Sequence, residues 1–357
     1  MTEGAETAID SATRGENALA GAVDWGLADR VGRRLARPGP AMSQYTRDAV
    51  HRELATAAER AEGPVRDVTA LADDRPVPAA RVLERADWIG EATQSMSRLT
   101  GGGDTSGLVA GKPAGLQMGA ALAYLSSAIL GQYDPFSGDD GTLLLIAPNV
   151  VSVERALRVR PSDFRMWVCL HEVTHRVQFS SAPWLAGYMQ ESVDLLAGED
   201  EESITDAASR IVTAVRSRGE TSEEGAPGGV LGVLRATQPP AQRAALDRLL
   251  VLGTLLEGHA DHVMDAVGPA VVPTVATIRG AFDRRRARRG DPLQRLVRAL
   301  LGLDAKMAQY VRGKAFVDAV VGRVGMAEFN TIWTDADTLP TLAEIERPEA
   351  WIARVLA

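Results

Sequence analysis

The chain has 357 residues, of which 45% are hydrophobic and 24% are charged, a balance typical of a globular protein with a substantial core. Its formal net charge of −8 argues against a general affinity for nucleic acid, and the absence of a long apolar run argues against a membrane span. One cysteine excludes an intrachain disulfide framework, and the acidic start lacks a secretion signal, so we expect a cytoplasmic protein.

The amino-terminal part of the chain is predicted to be helical after a mobile start. Residues 1–20 are small and polar, and we expect them to be mobile. Residues 21–357 are expected to form a single domain, within which 21–110 could make a helical subdomain. Apolar residues at helical spacing predict helices over 23–37, 42–62, 78–99 and 116–130.

One apolar run is the best candidate for a β-strand. Residues 142–147 read Thr-Leu-Leu-Leu-Ile-Ala and lie between Gly141 and Pro148, two residues that commonly bound a strand. Because few other segments have a strand pattern, the sequence predicts a mostly α (α+β) fold with a small β-sheet.

The next predicted helix covers residues 163–179, with Asp163 as its N-terminal cap. Apolar side chains three and four residues apart give this helix a buried stripe. Cys169 lies within the apolar stretch and is interpreted as a small buried side chain rather than as a nucleophile. The stripe consists of Met166, Trp167, Leu170, Val173 and Val177.

The same helix carries the pattern H-E-x-x-H, in which two histidines bind zinc and the glutamate acts as general base. His171 and His175 are four residues apart, so they lie one turn apart on one helical face and can reach one metal ion. Glu172 would point toward the rim of that site. Histidine is scarce, with five in the whole chain, so the pattern is unexpected by chance and predicts a zinc site.

A catalytic zinc ion needs a third protein ligand and one open position. Glu257 and Asp261 follow a predicted helix over 241–256 and share a helical face. Glu257 is the first candidate for the third ligand, and Asp261 is expected to hydrogen-bond the outer nitrogen of a ligand histidine. His259 is the second candidate, although only a kink at Gly258 would turn it inward.

The remaining segments complete a helical pattern. A helix over 203–217 and an acidic, glycine-rich loop over 219–229 precede the candidate third ligand. The basic run 283–290 is interpreted as a solvated helix end. Further helices are predicted over 291–310 and 342–356.

Together these motifs resemble a known family. H-E-x-x-H followed by E-x-x-x-D at Glu257 and Asp261 resembles the glutamate-ligand zincins, the thermolysin-like branch of metallopeptidases. The residues at 171–179, 257–261 and 351–355 are similar to those of zincin-like zinc metallopeptidases or hydrolases found largely in actinobacteria. Some of these proteins are described as associated with deazaflavin coenzyme biosynthesis.

The resemblance implies a zincin-like, mostly helical fold around the H-E-x-x-H helix, with Zn²⁺ as the cofactor. In such enzymes a strand edge often borders the substrate cleft, and residues 142–147 are the candidate for that edge. The site residues that it implies are His171, His175 and Glu257 as zinc ligands, Glu172 as the base and Asp261 behind the ligands.

The leading expectation is a zinc-dependent metallopeptidase in which Glu172 takes a proton from a zinc-activated water. The expected partner is a peptide or a small amide substrate, with no nucleic acid and no membrane. Two alternatives stay open: a zinc hydrolase of a non-peptide amide linked to coenzyme metabolism, and a catalytically silent binding protein on a zincin fold. The developing oxyanion needs a donor besides zinc, and the candidates are Tyr310, His259, His262 and Arg312.

Overall fold

The structure is a computed structural model that describes residues 22–71, 78–102, 111–138, 140–197, 238–287 and 303–357. Most of these residues are helical and one small sheet accompanies them, which confirms the predicted mostly α fold class. The elements are α1 (Trp25–Leu35), α2 (Gln44–Thr69), β1 (Arg81–Leu83), α3 (Arg85–Leu99), α4 (Lys112–Leu125), β2 (Gly131–Asp134), β3 (Thr142–Ile146), α5 (Ala147–Leu157), α6 (Pro161–Ser181), α7 (Trp184–Ala197), α8 (Pro240–Val267), α9 (Val275–Ala287), α10 (Leu303–Val324), α11 (Met326–Phe329), α12 (Leu342–Glu346) and α13 (Pro348–Val355).

Several predictions concern residues beyond the described ranges. The segment 1–20, the helix over 203–217 and the loop over 219–229 lie outside the described residues. The grouping of 21–357 into one domain stays a prediction. None of the described helices is both long enough and apolar enough to cross a bilayer.

The sheet has the strand order β1-β3-β2. Its central strand, β3, runs parallel to β1, with Leu83 opposite Ile146, and antiparallel to β2, with Gly131 opposite Leu145. The predicted strand over 142–147 is confirmed, since β3 covers all but its last residue. The prediction that its edge borders a cleft is wrong, because paired strands occupy both of its edges and the edge strands of the described sheet are β1 and β2.

β3 is apolar along most of its length because both of its faces are buried. Leu143 and Leu145 belong to the core cluster that contains the apolar residues of α2, α5 and α6. Leu144 and Ile146 point the other way and pack with Trp88 of α3 and its neighbours. A strand covered on both faces reads as a continuous apolar run rather than as an alternating one.

α6 lies at the centre of the larger core cluster. Its side chains Leu170, Val173 and Val177 are fully buried, and the helix contacts both α2 and α8. Burying each such side chain stabilises the fold by about 1.5–3 kcal/mol. The predicted apolar stripe is therefore confirmed, and most other residues of the helix that carries H-E-x-x-H are buried as well.

The structure tests two predictions about α6, one on its N-terminal cap and one on its cysteine. The helix begins at Pro161, which needs no N–H partner there, so the predicted cap at Asp163 is wrong. The Asp163 carboxylate instead accepts hydrogen bonds from the backbone N–H and the hydroxyl of Thr274. The prediction for Cys169 is confirmed: burial raises the pKa of this thiol, and its Sγ lies 3.7 Å from the Leu54 carbonyl oxygen.

Two predicted helices are divided in the structure. In the predicted helix over 78–99, residues 81–83 instead form β1, because they pair with β3 despite their helical periodicity. The one over 342–356 breaks at Pro348, which cannot donate to the preceding turn and so begins α13.

Arg354 joins the two helices that result. Its guanidinium donates to both carboxylate oxygens of Glu344, at 2.7 and 2.9 Å, and to the main-chain carbonyls of Asp337 and Leu339. Trp351 is fully buried beside this pair and packs its ring against Phe329 and Phe316. The end of the chain is thereby fixed to a second cluster of buried apolar side chains, which also includes residues of α8.

Replacing Arg354 with alanine should lower the free energy of unfolding by about 1–2 kcal/mol, because Glu344 loses a bidentate partner. Arg323→Ala is the matched control, since Arg323 and Glu349 are paired through exposed side chains and should contribute less than about 0.5 kcal/mol. Urea denaturation followed by circular dichroism measures both changes. Equal losses in the two variants would contradict the role given to Arg354.

Candidate metal centre

Three side chains from two helices converge on one point. His171 and His175 lie one turn apart on α6, and Glu257 lies on α8, which packs against α6. The two histidine Nε2 atoms are 3.2 Å apart, and Glu257 Oε2 lies 3.2 Å from that of His171 and 3.8 Å from that of His175. Among the described residues, these three form a group of His and Glu side chains that could hold one metal ion.

The spacing of these donor atoms fits a tetrahedral zinc ion. Zinc bonds imidazole nitrogen and carboxylate oxygen at about 2.0–2.1 Å, so neighbouring ligand atoms of a tetrahedron lie about 3.3 Å apart. The observed separations of 3.2, 3.2 and 3.8 Å are close to that value. Two imidazoles and one carboxylate also leave a fourth position open, which is the arrangement of catalytic zinc sites.

The charges around His171 favour its protonated form in the metal-free protein. Burial lowers the pKa of His171, but its hydrogen bond to Glu257 and the charges of Glu172, Glu257 and Asp261 raise it to about 9. The other ring nitrogen, Nδ1, lies 3.3 Å from the Met264 sulfur. Because only the neutral imidazole binds a metal, an incoming ion must displace this proton.

His175 is oriented by a residue that the sequence analysis missed. Its Nδ1 lies 2.9 Å from Oε1 of Gln178, one turn further along α6. The Gln178 amide nitrogen lies 3.0 Å from the Leu256 carbonyl oxygen and 2.9 Å from Nδ1 of His259, both on α8. Its position three residues after His175, on the same side of the helix, was the signal available in the sequence.

The helix that carries Glu257, α8, also packs closely against α10. The helix continues through Gly258 without interruption. A Cβ atom at Gly258 would lie 2.2 Å from the carbonyl carbon of Gly313 in α10, and one at Gly313 would lie 2.1 Å from the Thr254 carbonyl oxygen. The two glycines therefore permit a helix crossing that no larger side chain would allow, one residue from the third ligand.

Asp261 has a different partner from the one predicted. Its carboxylate accepts a hydrogen bond from Arg279 of α9 at 3.0 Å, and its main-chain carbonyl accepts a second one at 3.0 Å. The outer nitrogens of the two ligand histidines face Met264 and Gln178 instead. Asp261 therefore acts on the centre through its charge, as one of the groups that raise the pKa of His171.

His259 is buried behind the group formed by His171, His175 and Glu257 rather than within it. Its ring lies between those of Phe329 and Trp333, with centroids at 5.4 and 5.3 Å, and the Gln178 amide separates it from His175. Burial, with smaller contributions from His262 and His175, lowers the pKa of His259 to about 3. Of the two candidates for the third ligand, Glu257 is the one whose carboxylate lies beside His171 and His175.

The other predicted oxyanion donors lie on α8 and α10. His262 is half-buried, and its Nδ1 lies 2.7 Å from Asp318. Arg312 is exposed and pairs with Glu346 at 3.2 Å. Tyr310 belongs to α10, but its side chain lies outside the described part of the structure. Its role as a donor stays a prediction.

Glu172 is buried against the edge strand of the sheet. A Cβ atom at Gly131 of β2 would lie 2.6 Å from Cγ, 2.7 Å from Cδ and 2.9 Å from Oε1 of Glu172. Because glycine has no Cβ atom, Gly131 leaves room for the Glu172 carboxylate. The sequence has no local pattern that predicts the contact of Gly131, because this contact joins two segments distant in the chain.

Comparisons with known proteins give a family match and a similar solved structure. The family described as zincin-like metallopeptidase matches residues 23–352. A crystal structure from Chloroflexus aurantiacus, described as a presumptive hydrolase with a novel fold, has a TM-score of 0.66 and 28% identity, and the match covers 93% of this chain and 98% of that one. No curated protein matches the chain.

Removing a ligand should abolish zinc binding. We expect about one zinc ion per chain in the wild-type protein after reconstitution, and a loss of most of it in His171→Ala and Glu257→Ala, because each variant leaves two ligands. His262→Ala is the control, since His262 pairs with Asp318 and should not affect metal content. Mass spectrometry measures the zinc content of each variant. If Glu257→Ala keeps its zinc and His259→Ala loses it, Glu257 is not the third ligand.

Adding a methyl group at Gly131 should displace Glu172 without removing the metal. A Gly131→Ala variant is expected to move the Glu172 carboxylate by about 1 Å and to lower hydrolysis about 100-fold, with unchanged zinc content. Gly63→Ala is the matched control, because a Cβ atom there meets no atom within 4 Å. A crystal structure of the variant with Glu172 in its original position would contradict this account of Gly131.

Proposed function

Because the chain belongs to the zincin-like metallopeptidase family, we propose that it is a zinc-dependent peptidase in which Glu172 is the general base. The observation that carries this proposal is the convergence of His171 Nε2, His175 Nε2 and Glu257 Oε2 at distances suited to one zinc ion. A structural zinc site would use a fourth protein ligand. The described residues offer three at this point, which favours a catalytic site.

The reaction would divide its tasks among four residues. Zinc, when bound, would polarise a water molecule and the carbonyl group of the scissile amide. His171, His175 and Glu257 would hold the ion in place. The Glu172 carboxylate would take a proton from the attacking water and give it to the leaving amine. Its packing against Gly131 limits its rotamers, so the carboxylate is held ready for both transfers.

The edge of β2 supports a peptide as the substrate. The Leu130 carbonyl accepts a hydrogen bond from Ile146 N at 2.9 Å, which sets the alternation of this antiparallel ladder. The N–H and C=O of Gly131, the next residue, must then point away from β3, toward the outer edge of the sheet. A peptide bound there as an additional strand would run beside the Glu172 carboxylate.

The leading test is a Glu172→Gln variant assayed with a panel of quenched fluorescent peptides and small non-peptide amides. We expect the wild-type protein, reconstituted with zinc, to cleave peptides, and the variant to lose at least about 100-fold in kcat while keeping its zinc. The amide of glutamine cannot accept the proton, yet it leaves all three ligands in place.

Glu191→Gln is the matched control, because the Glu191 side chain is 71% exposed and should not affect the reaction. Undiminished hydrolysis by Glu172→Gln would remove Glu172 from the role of base. If the protein cleaves a small amide but no peptide, the substrate is a non-peptide amide, such as one linked to coenzyme metabolism. If the zinc-loaded protein cleaves neither class of substrate, the protein is a binding protein with a zincin fold.

A further inference from the structure

Gln178 is fully buried where α6 meets α8. Its Oε1 lies 2.9 Å from His175 Nδ1, and its Nε2 lies 3.0 Å from the Leu256 carbonyl oxygen and 2.9 Å from His259 Nδ1. We propose that Gln178 is a positioning residue that fixes the proton of His175 on Nδ1, so that the lone pair of Nε2 faces the metal centre. The proposal rests on the proposed function only in taking zinc as the ion.

The Leu256 carbonyl determines which end of the Gln178 amide faces which neighbour. A carbonyl oxygen can only accept hydrogen bonds, so the amide NH₂ group must face it. The reversed amide would bring two oxygen acceptors to 3.0 Å of each other in the buried interior, where their repulsion is costly. The orientation of Gln178 therefore follows from a main-chain atom whose own hydrogen-bonding role cannot change.

The proton of His175 follows from that orientation. Gln178 Oε1 is also an acceptor only, so the atom 2.9 Å away, His175 Nδ1, must supply the hydrogen. A neutral imidazole has one N–H, which leaves the Nε2 lone pair free to bind a metal. This nitrogen is the one that lies 3.2 Å from His171 Nε2 and 3.8 Å from Glu257 Oε2.

His259 completes the arrangement by accepting the second N–H of the amide. The two hydrogens of the Gln178 NH₂ group are thus directed to Leu256 and to His259 Nδ1. His259 must then carry its own proton on Nε2, and its ring is held between Phe329 and Trp333. Both polar atoms of the Gln178 amide are thus engaged, as buried polar groups in native proteins normally are.

Gln178 also ties the second ligand to the third. Leu256 directly precedes Glu257 on α8, so the hydrogen bond from Gln178 fixes the distance between the helix of His175 and the helix of Glu257. Its neutral amide differs from the carboxylate often found behind a ligand histidine, and it should leave His175 less basic than a carboxylate would. The residue therefore sets both the geometry and the electronic character of the His175 ligand.

A Gln178→Met variant tests this role. Methionine keeps the length and volume of the side chain and makes none of the three hydrogen bonds, so zinc affinity should fall about 10- to 100-fold. Thr174→Val is the matched control, because Thr174 is equally buried on α6 but its hydroxyl bonds only Leu170 of its own helix. Competition with a fluorescent zinc chelator gives the dissociation constants, and circular dichroism checks the fold.

Nitrogen NMR of the wild-type protein supplies the second measurement, which stands even if Gln178→Met does not fold. In zinc-free protein at a pH where His175 is neutral, long-range ¹H–¹⁵N spectra should show His175 protonated on Nδ1. An Nε2–H form as the main species, or equal zinc affinity in wild type and a folded Gln178→Met, would overturn the proposal. Both readouts are independent of hydrolysis, so a protein that binds zinc but cleaves nothing would refute the proposed function alone.

Discussion

The candidate metal centre depends on the close approach of α8 to α6, which brings one carboxylate to within 3.2 Å of a histidine nitrogen. That approach is maintained from both sides of α8. On one side, Gln178 bonds the Leu256 carbonyl and so holds α8 against the H-E-x-x-H helix. On the other, Gly258 allows α10 to pack at backbone distance. Since helix positions within a core are set by packing, a side chain added at this crossing would move Glu257.

Charges on the solvent side of α8 complement this packing. Arg279 of α9 binds both Asp261 and Asp265, and Lys314 of α10 binds Asp265 and Asp318. The pairs with Asp261 and Asp265 join α8 to α9 and α10, whereas Lys314 and Asp318 both lie on α10. The helix that carries Glu257 is therefore held by ion pairs as well as by apolar contacts. The partial burial of Arg279 and Asp261 makes their pair more than a surface contact.

The small sheet has a role beyond its size. β3 is buried on both faces and paired on both edges, so it acts as a rigid support. β2 lies at the edge of the described sheet, and its Gly131 contacts the proposed base Glu172. The same strand therefore contacts the Glu172 carboxylate and carries the main-chain groups that the proposed function assigns to an extended substrate. This combination, with the family match over residues 23–352, is the structural basis for proposing a peptide substrate.

The sequence by itself determined the features whose causes lie within a few residues. The spacing of His171 and His175 placed both rings on one helical face, and apolar periodicity predicted the buried side of α6. Glu257 came from a second short motif and a family resemblance. Tertiary structure decided the partners of Gln178 and Asp261, the contact between Gly131 and Glu172, and which strand forms the sheet edge. Each of these depends on the distance between segments far apart in the chain, and local periodicity carries no information about that distance.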